Sequence, residues 1–564
     1  MSDQSPESDA TGSGAPIKET VTSLVIAFVM AFVFRGFVLE AFLIPTGSMA
    51  PTLLGAHVRV QSGLSGHDWA VGPWFYANQE NQQGPLPRQG TARHPVVVHD
   101  PLLGPPGEGP EIRRYDEPRL AGDRIFVLKY LFSIFDPKRF DVTVFKNPTS
   151  PSENYIKRLL GLPGEQVALV DGDVFTRDAS LASDTASNAW AGQGWSIARK
   201  DERTQRSAWY TLFDSGHAPR VDLRGFDPPW RSEQTGWTIG TRRSYAYEGA
   251  GPAILRWNTA AWPISDWLSY NEIGRYSGAR LRYMSPDAFP VSDLAMSAGV
   301  EPRDAQASVR AVIEAREHLF VGEIIGTTAR VTMQPVDASS PIVTLDEDQL
   351  ARPLEPGRVH NVEFWHVDQA LWLFVDGELV AGGPSDGAYD WSPRQRVEAS
   401  TGSTLAQMSQ PETGRGGHLI NRFADPARFT PPRPRWEIES GPMTLHRVRL
   451  ARDLHYRAAE YPPRAEGQPP HSRRGQYPVG THPLSSPVLG PNQFFLCGDN
   501  SAHSLDGRLW DRADPWIGAT FDHADTGIVP RELVIGKAFF VYFPALRHRG
   551  MIPVPDFGRL RFIW

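Results

Sequence analysis

The sequence predicts a mainly β protein carried behind one apolar N-terminal helix, with a second β domain inserted into the first. Three observations predict it. Fifty Pro and 51 Gly, about 18% of the 564 residues, put turns throughout the chain, as a β-rich protein needs. Short alternating or β-branched runs recur between those turns. A strongly apolar stretch beginning at Val21 precedes them all. The length excludes one ordinary domain. Aromatic residues at 11%, with 17 Trp, indicate folded material, and a net charge of -7 gives no reason to expect nucleic-acid binding. Cys497 is the one cysteine, which excludes an intrachain disulfide and a cysteine-rich zinc site.

Taken in order, residues 1–19 are polar and aperiodic and read as a disordered tail. Residues 20–43 read as a transmembrane anchor. From Val21 to Leu43 a helix covers roughly 35 Å at 1.5 Å per residue, with Arg35 reaching toward headgroups. Asp3, Glu7, Asp9 and Glu19 outnumber Lys18 before it, and no small-x-small site follows, so a retained anchor is expected rather than a cleaved signal peptide. Lys18 on one side and Arg35 on the other leave the orientation open.

Residues 44–176 and 481–564 read as one β domain in separated pieces. Within it, 56–120 is irregular and rich in Gly, Pro and Gln. Residues 122–129, 140–145 and 154–160 each read as strands, and 166–175 as a hairpin closed by Asp171-Gly172. Residues 177–480 read as an inserted β-sandwich of jelly-roll type with a Pro-rich return linker (Pro462, Pro463, Pro469, Pro470, Pro478, Pro483, Pro487, Pro491). Near its end His446, Val448 and Leu450 share one face while Arg447 and Arg449 face away, as in a sheet with one side in water. Residues 371–380 resemble a hairpin of concanavalin-like sandwiches, a widely shared pattern.

The chemistry concentrates in three blocks. Ser48 stands in Ile44-Pro45-Thr46-Gly47-Ser48-Met49-Ala50-Pro51, directly after the apolar stretch. Lys157 stands in Tyr155-Ile156-Lys157-Arg158. A serine hydroxyl attacks a carbonyl only when a base removes its proton. Lysine, with a reference pKa of about 10.4, serves when burial lowers that value, by up to about 3–5 units. Tyr155, Ile156, Leu159 and Leu160 supply an apolar setting. The third block is Gly498-Asp499-Asn500, followed by Ser504, Asp506 and Arg508. No G-x-S-x-G elbow, HExxH or Walker loop competes, and His99-Asp100 and His360…His366 read as strand or turn polars rather than ligands.

In this order the blocks are similar to those of the type I signal peptidases, membrane-bound serine proteases that remove signal peptides. The resemblance implies a signal-peptidase-type β catalytic domain with Ser48 as nucleophile and Lys157 as base. It also implies an oxyanion hole from the Thr46 hydroxyl and the Ser48 N–H. Ser504 would hydrogen-bond and orient the lysine amine. Asp506 and Arg508 would pair to brace the loop, with Asp499 and Asn500 beside them. Phe42, Ile44, Met49, Leu53, Tyr155 and Ile156 match positions lining shallow S1 and S3 pockets for Ala-like side chains.

No metal or organic cofactor is implied. The implied partners are preprotein signal peptides with Ala-x-Ala sites and the lipid bilayer. The implied location is the cytoplasmic membrane, single-pass, with the catalytic domain outside. The resemblance covers under a third of the chain. The extra residues 55–121, the roughly 300-residue insertion and Asp511 in place of a usual glycine depart from the pattern. The alternative reading is an envelope glycan- or protein-binding module on an inactive or narrowly specific scaffold.

Overall fold

The computed structural model describes the chain except residues 1–14, 73–95, 106–107, 115–117, 183–187, 220–222, 224–225, 241–242, 250, 273, 278–279, 284–287, 305–307, 338, 414–418, 459–475, 511, 522–526, 545–546, 550–551 and 555. Most of the polar tail, the middle of 56–120, Asp511, and Pro462, Pro463, Pro469 and Pro470 thus lie outside the described residues.

The protein is mainly β, behind one apolar helix. The helix Ala15–Val33 begins inside the segment expected to be a tail and widens into a π-type turn, Phe34–Val38. Lys18–Val38, with mean hydropathy 2.2, is long and apolar enough to cross a membrane. The expected anchor extends to residue 43, but Leu39–Leu43 is a strand. It pairs antiparallel with Arg124–Leu128, from Leu39 opposite Leu128 to Leu43 opposite Arg124. A largely apolar stretch with Glu40 inside it has no clear period, so a partner some 80 positions away decides between helix and strand.

Leu39–Leu43 is the edge of an eight-stranded sheet. Across it follow Arg124–Leu128, Val534–Phe543, Val142–Asn147, Ser150–Gly161, Gln493–Cys497 and Ile528–Pro530, while Arg561–Phe562 pairs with Val534–Phe543. Ile44, Met49, Leu53, Ile125, Val127, Val144, Ile156 and Val541 form one core on this sheet. Phe145, Leu159, Phe494, Leu496 and Trp510 form another. The hairpin Glu165–Val170/Asp173–Asp178 turns at Asp171-Gly172, and Ser196–Ile197 extends it to three strands.

The stretch expected to be irregular contains two short strand pairs, Val58–Gln61 with Asp68–Val71 and Val96–His99 with Glu111–Arg114. Val58, Val60, Trp69, Val71 and Val98 share a small core. Four-residue strands between Gly- and Pro-rich turns are too short for alternation alone to reveal.

Between the lysine strand and Gln493–Cys497 stands a sandwich of an eight-stranded and a seven-stranded antiparallel sheet. Met296, Phe364 and Leu373 of one interleave with Val309, Phe320, Val331 and Trp436 of the other in a shared core. The incoming strand Tyr210–Asp214 pairs with the outgoing strand Met443–Arg452, Tyr210 opposite Arg452. The two ends of the sandwich are therefore laced together where they leave the first sheet.

A buried ionic network joins the sandwich to the 171–172 turn. Asp171 accepts from Arg316 Nε at 2.8 Å, Arg396 Nε at 2.9 Å and Ser400 Oγ at 2.7 Å. Arg396 also pairs with Asp173, and Arg316 with Asp293 at 2.6 Å. Lys200 Nζ lies 2.8 Å from both Asp368 and Asp453. Asp173, Asp293, Asp368 and Asp453 bring oxygens within 4.8 Å of one another. Lys200, Arg316 and Arg396 pair with these carboxylates and tie the sandwich to the hairpin.

Candidate active site

Ser48 sits in the 3₁₀ turn Gly47–Met49, which follows the edge strand. The loop is tied down at both ends. Ile44 N–H donates to Asp123 O at 2.9 Å, Asp123 N–H to Leu54 O at 2.8 Å, and Leu54 N–H to the Asp123 carboxylate at 2.8 Å. The Gly498-Asp499-Asn500 segment docks on the turn from the other side. Asn500 N–H donates to Ser48 O at 3.0 Å, Asn500 Nδ2 to Gly47 O at 2.9 Å, and Thr52 Oγ1 to Asp499 Oδ2 at 2.6 Å. Residue 498 must be glycine for this approach, because a Cβ there would lie 2.4 Å from Ser48 O and 2.3 Å from Ser504 Oγ.

Lys157 lies on Ser150–Gly161, opposite Thr143. Its side chain is 4% exposed, and its Nζ is 2.6 Å from Ser48 Oγ. Burial lowers its pKa to about 8, against the opposing pull of Asp506. That pull is weakened because Asp506 is already engaged. Arg508 donates to both its oxygens, at 2.9 and 2.8 Å, and Gly498 N–H donates at 2.9 Å. Arg508 in turn donates to Ser501 Oγ at 2.6 Å and Ser501 O at 2.9 Å, which braces the loop. Below pH 8 the ammonium donates to Ser48 Oγ. Above it the hydroxyl can donate to the free amine, the geometry required of a base.

The structure corrects one expectation. Ser504 is buried beside the site, but its Oγ has no hydrogen-bond partner among the described residues and does not hold the lysine amine. It sits over Gly498, while the Lys157 amine points to Ser48.

Thr46, half-buried and extended (φ -115°), precedes the turn, and its side chain makes no capping bond to it. Ile44, Met49, Leu53 and Ile156 are buried in one core with Phe42 at its margin. Met49 and Leu53 are fully covered, so they floor the site rather than line an open groove. Tyr155 packs against Phe145 and Trp510, and the Lys157 amine lies over its ring, 5.3 Å from the ring centre.

Arg158 was not expected among the site residues, although it stands in the quoted lysine motif. It donates to both Asp499 oxygens, Nε at 2.8 Å and Nη2 at 2.7 Å, with both side chains fully buried. Its charge next to a catalytic-type lysine was the available signal. Cys497 is buried in a neighbouring core with Leu160, Leu169 and Phe495, and burial pushes its thiol well above the usual range, which makes it inert.

Residues 116–216 and 452–543 match the model of the signal peptidase family, peptidase S26. The matched stretches contain Lys157, Asp499, Asp506 and Arg508, while Ser48 lies before them. Signal peptidase I of Rickettsia typhi is 24% identical over 173 residues, 31% of this chain and 48% of that protein. Its counterpart in Rickettsia canadensis is 41% identical over 82 residues, 11% of this chain and 31% of that protein. The chain spans about half the length, or less, of these curated relatives. A carbohydrate binding module from Bacillus subtilis aligns over 39% of this chain and 94% of its own, with 7% identity and a TM-score of 0.21. A likeness that distant bears on nothing further.

Proposed function

We propose that this chain is a type I signal peptidase, a membrane-anchored serine endopeptidase that cleaves signal peptides from exported preproteins through a Ser48/Lys157 dyad. The observation that carries the reading is Lys157 Nζ, buried, 2.6 Å from Ser48 Oγ, with its pKa lowered to about 8. At pH 7 about one such lysine in ten is neutral, against about one in a few thousand for an ordinary one. The match of the surrounding segments to the signal peptidase family supports the same reading.

In the proposed mechanism Lys157 takes the Ser48 proton as Oγ attacks the carbonyl before the scissile bond. The Ser48 N–H and the Thr46 hydroxyl stabilise the oxyanion, each worth about 3–4 kcal/mol in the transition state. Collapse expels the mature N-terminus, protonated from Lys157, and leaves an acyl-enzyme. Lys157 then activates the water that hydrolyses it. Asp506 acts indirectly: tied to Arg508, it does not form the ion pair that would keep Lys157 charged.

Residues 44–176 with 481–564 form the catalytic domain in this reading, and 177–480 the insertion. The apolar helix holds the enzyme in the cytoplasmic membrane with its site outside, where the substrate's own apolar segment is also confined. The substrates are preproteins with small residues, Ala-x-Ala, before the cut.

The test is cleavage of a detergent-solubilised preprotein with an Ala-x-Ala site by the full-length protein, with the product's N-terminus sequenced. Cutting after the second Ala, lost in Ser48→Ala, is expected. A folded wild-type protein that cuts nothing would overturn the reading and favour a binding role for the insertion.

A further inference from the structure

The sandwich does not merely stand beside the site. Its 3₁₀ turn Ser269–Asn271 lies against the nucleophile turn. Tyr270 is buried, and its ring is so close to Gly47 that a Cβ there would lie 2.1 Å from a ring carbon. Its hydroxyl donates to Ala56 O at 2.8 Å, and its backbone carbonyl accepts from Gly72 N–H at 2.7 Å. Glu272, the next anchor, accepts from His99 N–H at 3.0 Å and lies 2.6 Å from His99 Nδ1. The finger is thus fixed by the strand pairs of 56–120, so two insertions distant in sequence meet at Ser48.

Asn271 makes the decisive contact. Its Nδ2 donates to Asn500 Oδ1 at 2.8 Å, and its Oδ1 accepts from Asn500 Nδ2 at 2.8 Å. The same Asn500 Nδ2 donates to Gly47 O at 2.9 Å. A carboxamide can present either its donor or its acceptor end after a half-turn. With its acceptor turned toward Gly47 O, Asn500 would set two oxygens against each other and release the turn. Paired with Asn271 at both ends, Asn500 cannot make that half-turn alone: it would lose both bonds unless Asn271 turned with it.

We propose that Asn271, supplied by the inserted sandwich, is a positioning residue of the peptidase site, holding Asn500 in the orientation that fixes the Gly47-Ser48 turn against Lys157. This rests on the Ser48/Lys157 reading. It makes the insertion part of the catalytic apparatus rather than an appendage.

The experiment compares full-length wild type, Ser48→Ala, Asn271→Ala and Asn271→Asp. Each is assayed for preprotein cleavage and for amide hydrogen exchange across residues 44–53. Asn271→Ala is expected to lower kcat by about tenfold or more, since small displacements of a nucleophile are costly. KM should stay within about twofold, and exchange in 44–53 should quicken. Asn271→Asp keeps an acceptor for Asn500 Nδ2 but removes the donor to Asn500 Oδ1, so it is expected to lose kcat and protection as Asn271→Ala does. Wild-type kcat and exchange in Asn271→Ala would overturn the proposal. If Asn271→Ala fails to fold, a folded Asn271→Asp decides: lowered kcat with quickened exchange in 44–53 supports the role, and wild-type values of both overturn it. If wild type and Ser48→Ala are equally inactive, the peptidase reading falls instead. The exchange data then still decide whether Asn271 holds the turn.

Discussion

Lys157 and Lys200 are both buried, yet their environments push them in opposite directions. Lys157 loses basicity, to about 8, mainly through burial. Lys200 suffers the same desolvation, but Asp368 and Asp453 at 2.8 Å more than offset it and hold the ammonium well above its usual range. Lys157 has the Ser48 hydroxyl and the face of the Tyr155 ring within reach, while the carboxylates that act on it, Asp506 and Asp499, are tied up by Arg508 and Arg158. Burial alone therefore does not make a lysine into a base. What decides is whether other cations have already taken the surrounding carboxylates.

Substitutions at the two lysines test that contrast. The largest effect is expected at Lys157→Met. Preprotein cleavage should fall about 10²–10⁴-fold, as for loss of a general base, while thermal stability holds or rises. A rate within tenfold of wild type would mean that another group takes the proton. Lys200→Met should do the reverse. It strands Asp368 and Asp453, and unfolding in denaturant should show a loss of about 3–5 kcal/mol, with the folded fraction still cutting.

A smaller effect is expected at Asp453, whose pKa burial pushes up to about 6, from an unfolded value near 3.8. A proton held more tightly when folded stabilises fully below pH 3.8, and that contribution is lost as the pH climbs through 6. Asp453→Asn should flatten this decline, worth at most about 3 kcal/mol, in denaturation midpoints measured from pH 4 to 7.

The smallest concerns the rate profile. Cleavage should rise with pH through about 8 as Lys157 deprotonates. Arg508→Gln frees Asp506 to pair with Lys157 and should move that limb upward by about one unit, roughly tenfold in rate at neutral pH. An unshifted limb would show that Asp506 does not need its arginine to be kept from the lysine.

The parts legible in the sequence are those whose chemistry is local. Ser48, Lys157 and the Asp506/Arg508 pair each stand in a short motif, and the hairpin at Asp171-Gly172 follows from turn chemistry. Leu39–Leu43 was not legible, because its strand partner is remote. Ser504 was placed beside the site, but its bond to the lysine depends on side-chain directions that no motif encodes. Asn271 carried no signal at all: an Asn 229 positions from Asn500 becomes relevant only once the sandwich has folded and docked. Arg158 stands in the lysine motif itself, but the carboxylate it neutralises, Asp499, lies 341 positions away and meets it only in the fold.

The lacing of Tyr210–Asp214 to Met443–Arg452 bears on how such a chain reaches its native state at all. Arg158 and Asp499 must find each other across 341 positions. If the sandwich closes first on its own core, with Tyr210 already opposite Arg452, the search shrinks to a loop of about a hundred residues and recovers roughly 1 kcal/mol of closure entropy. All of its strands precede Gln493–Cys497, so it can form as a unit during synthesis, before the last strands of the first sheet leave the ribosome. The insertion then works as a temporal clamp, delivering the C-terminal part of the first sheet to a waiting N-terminal part.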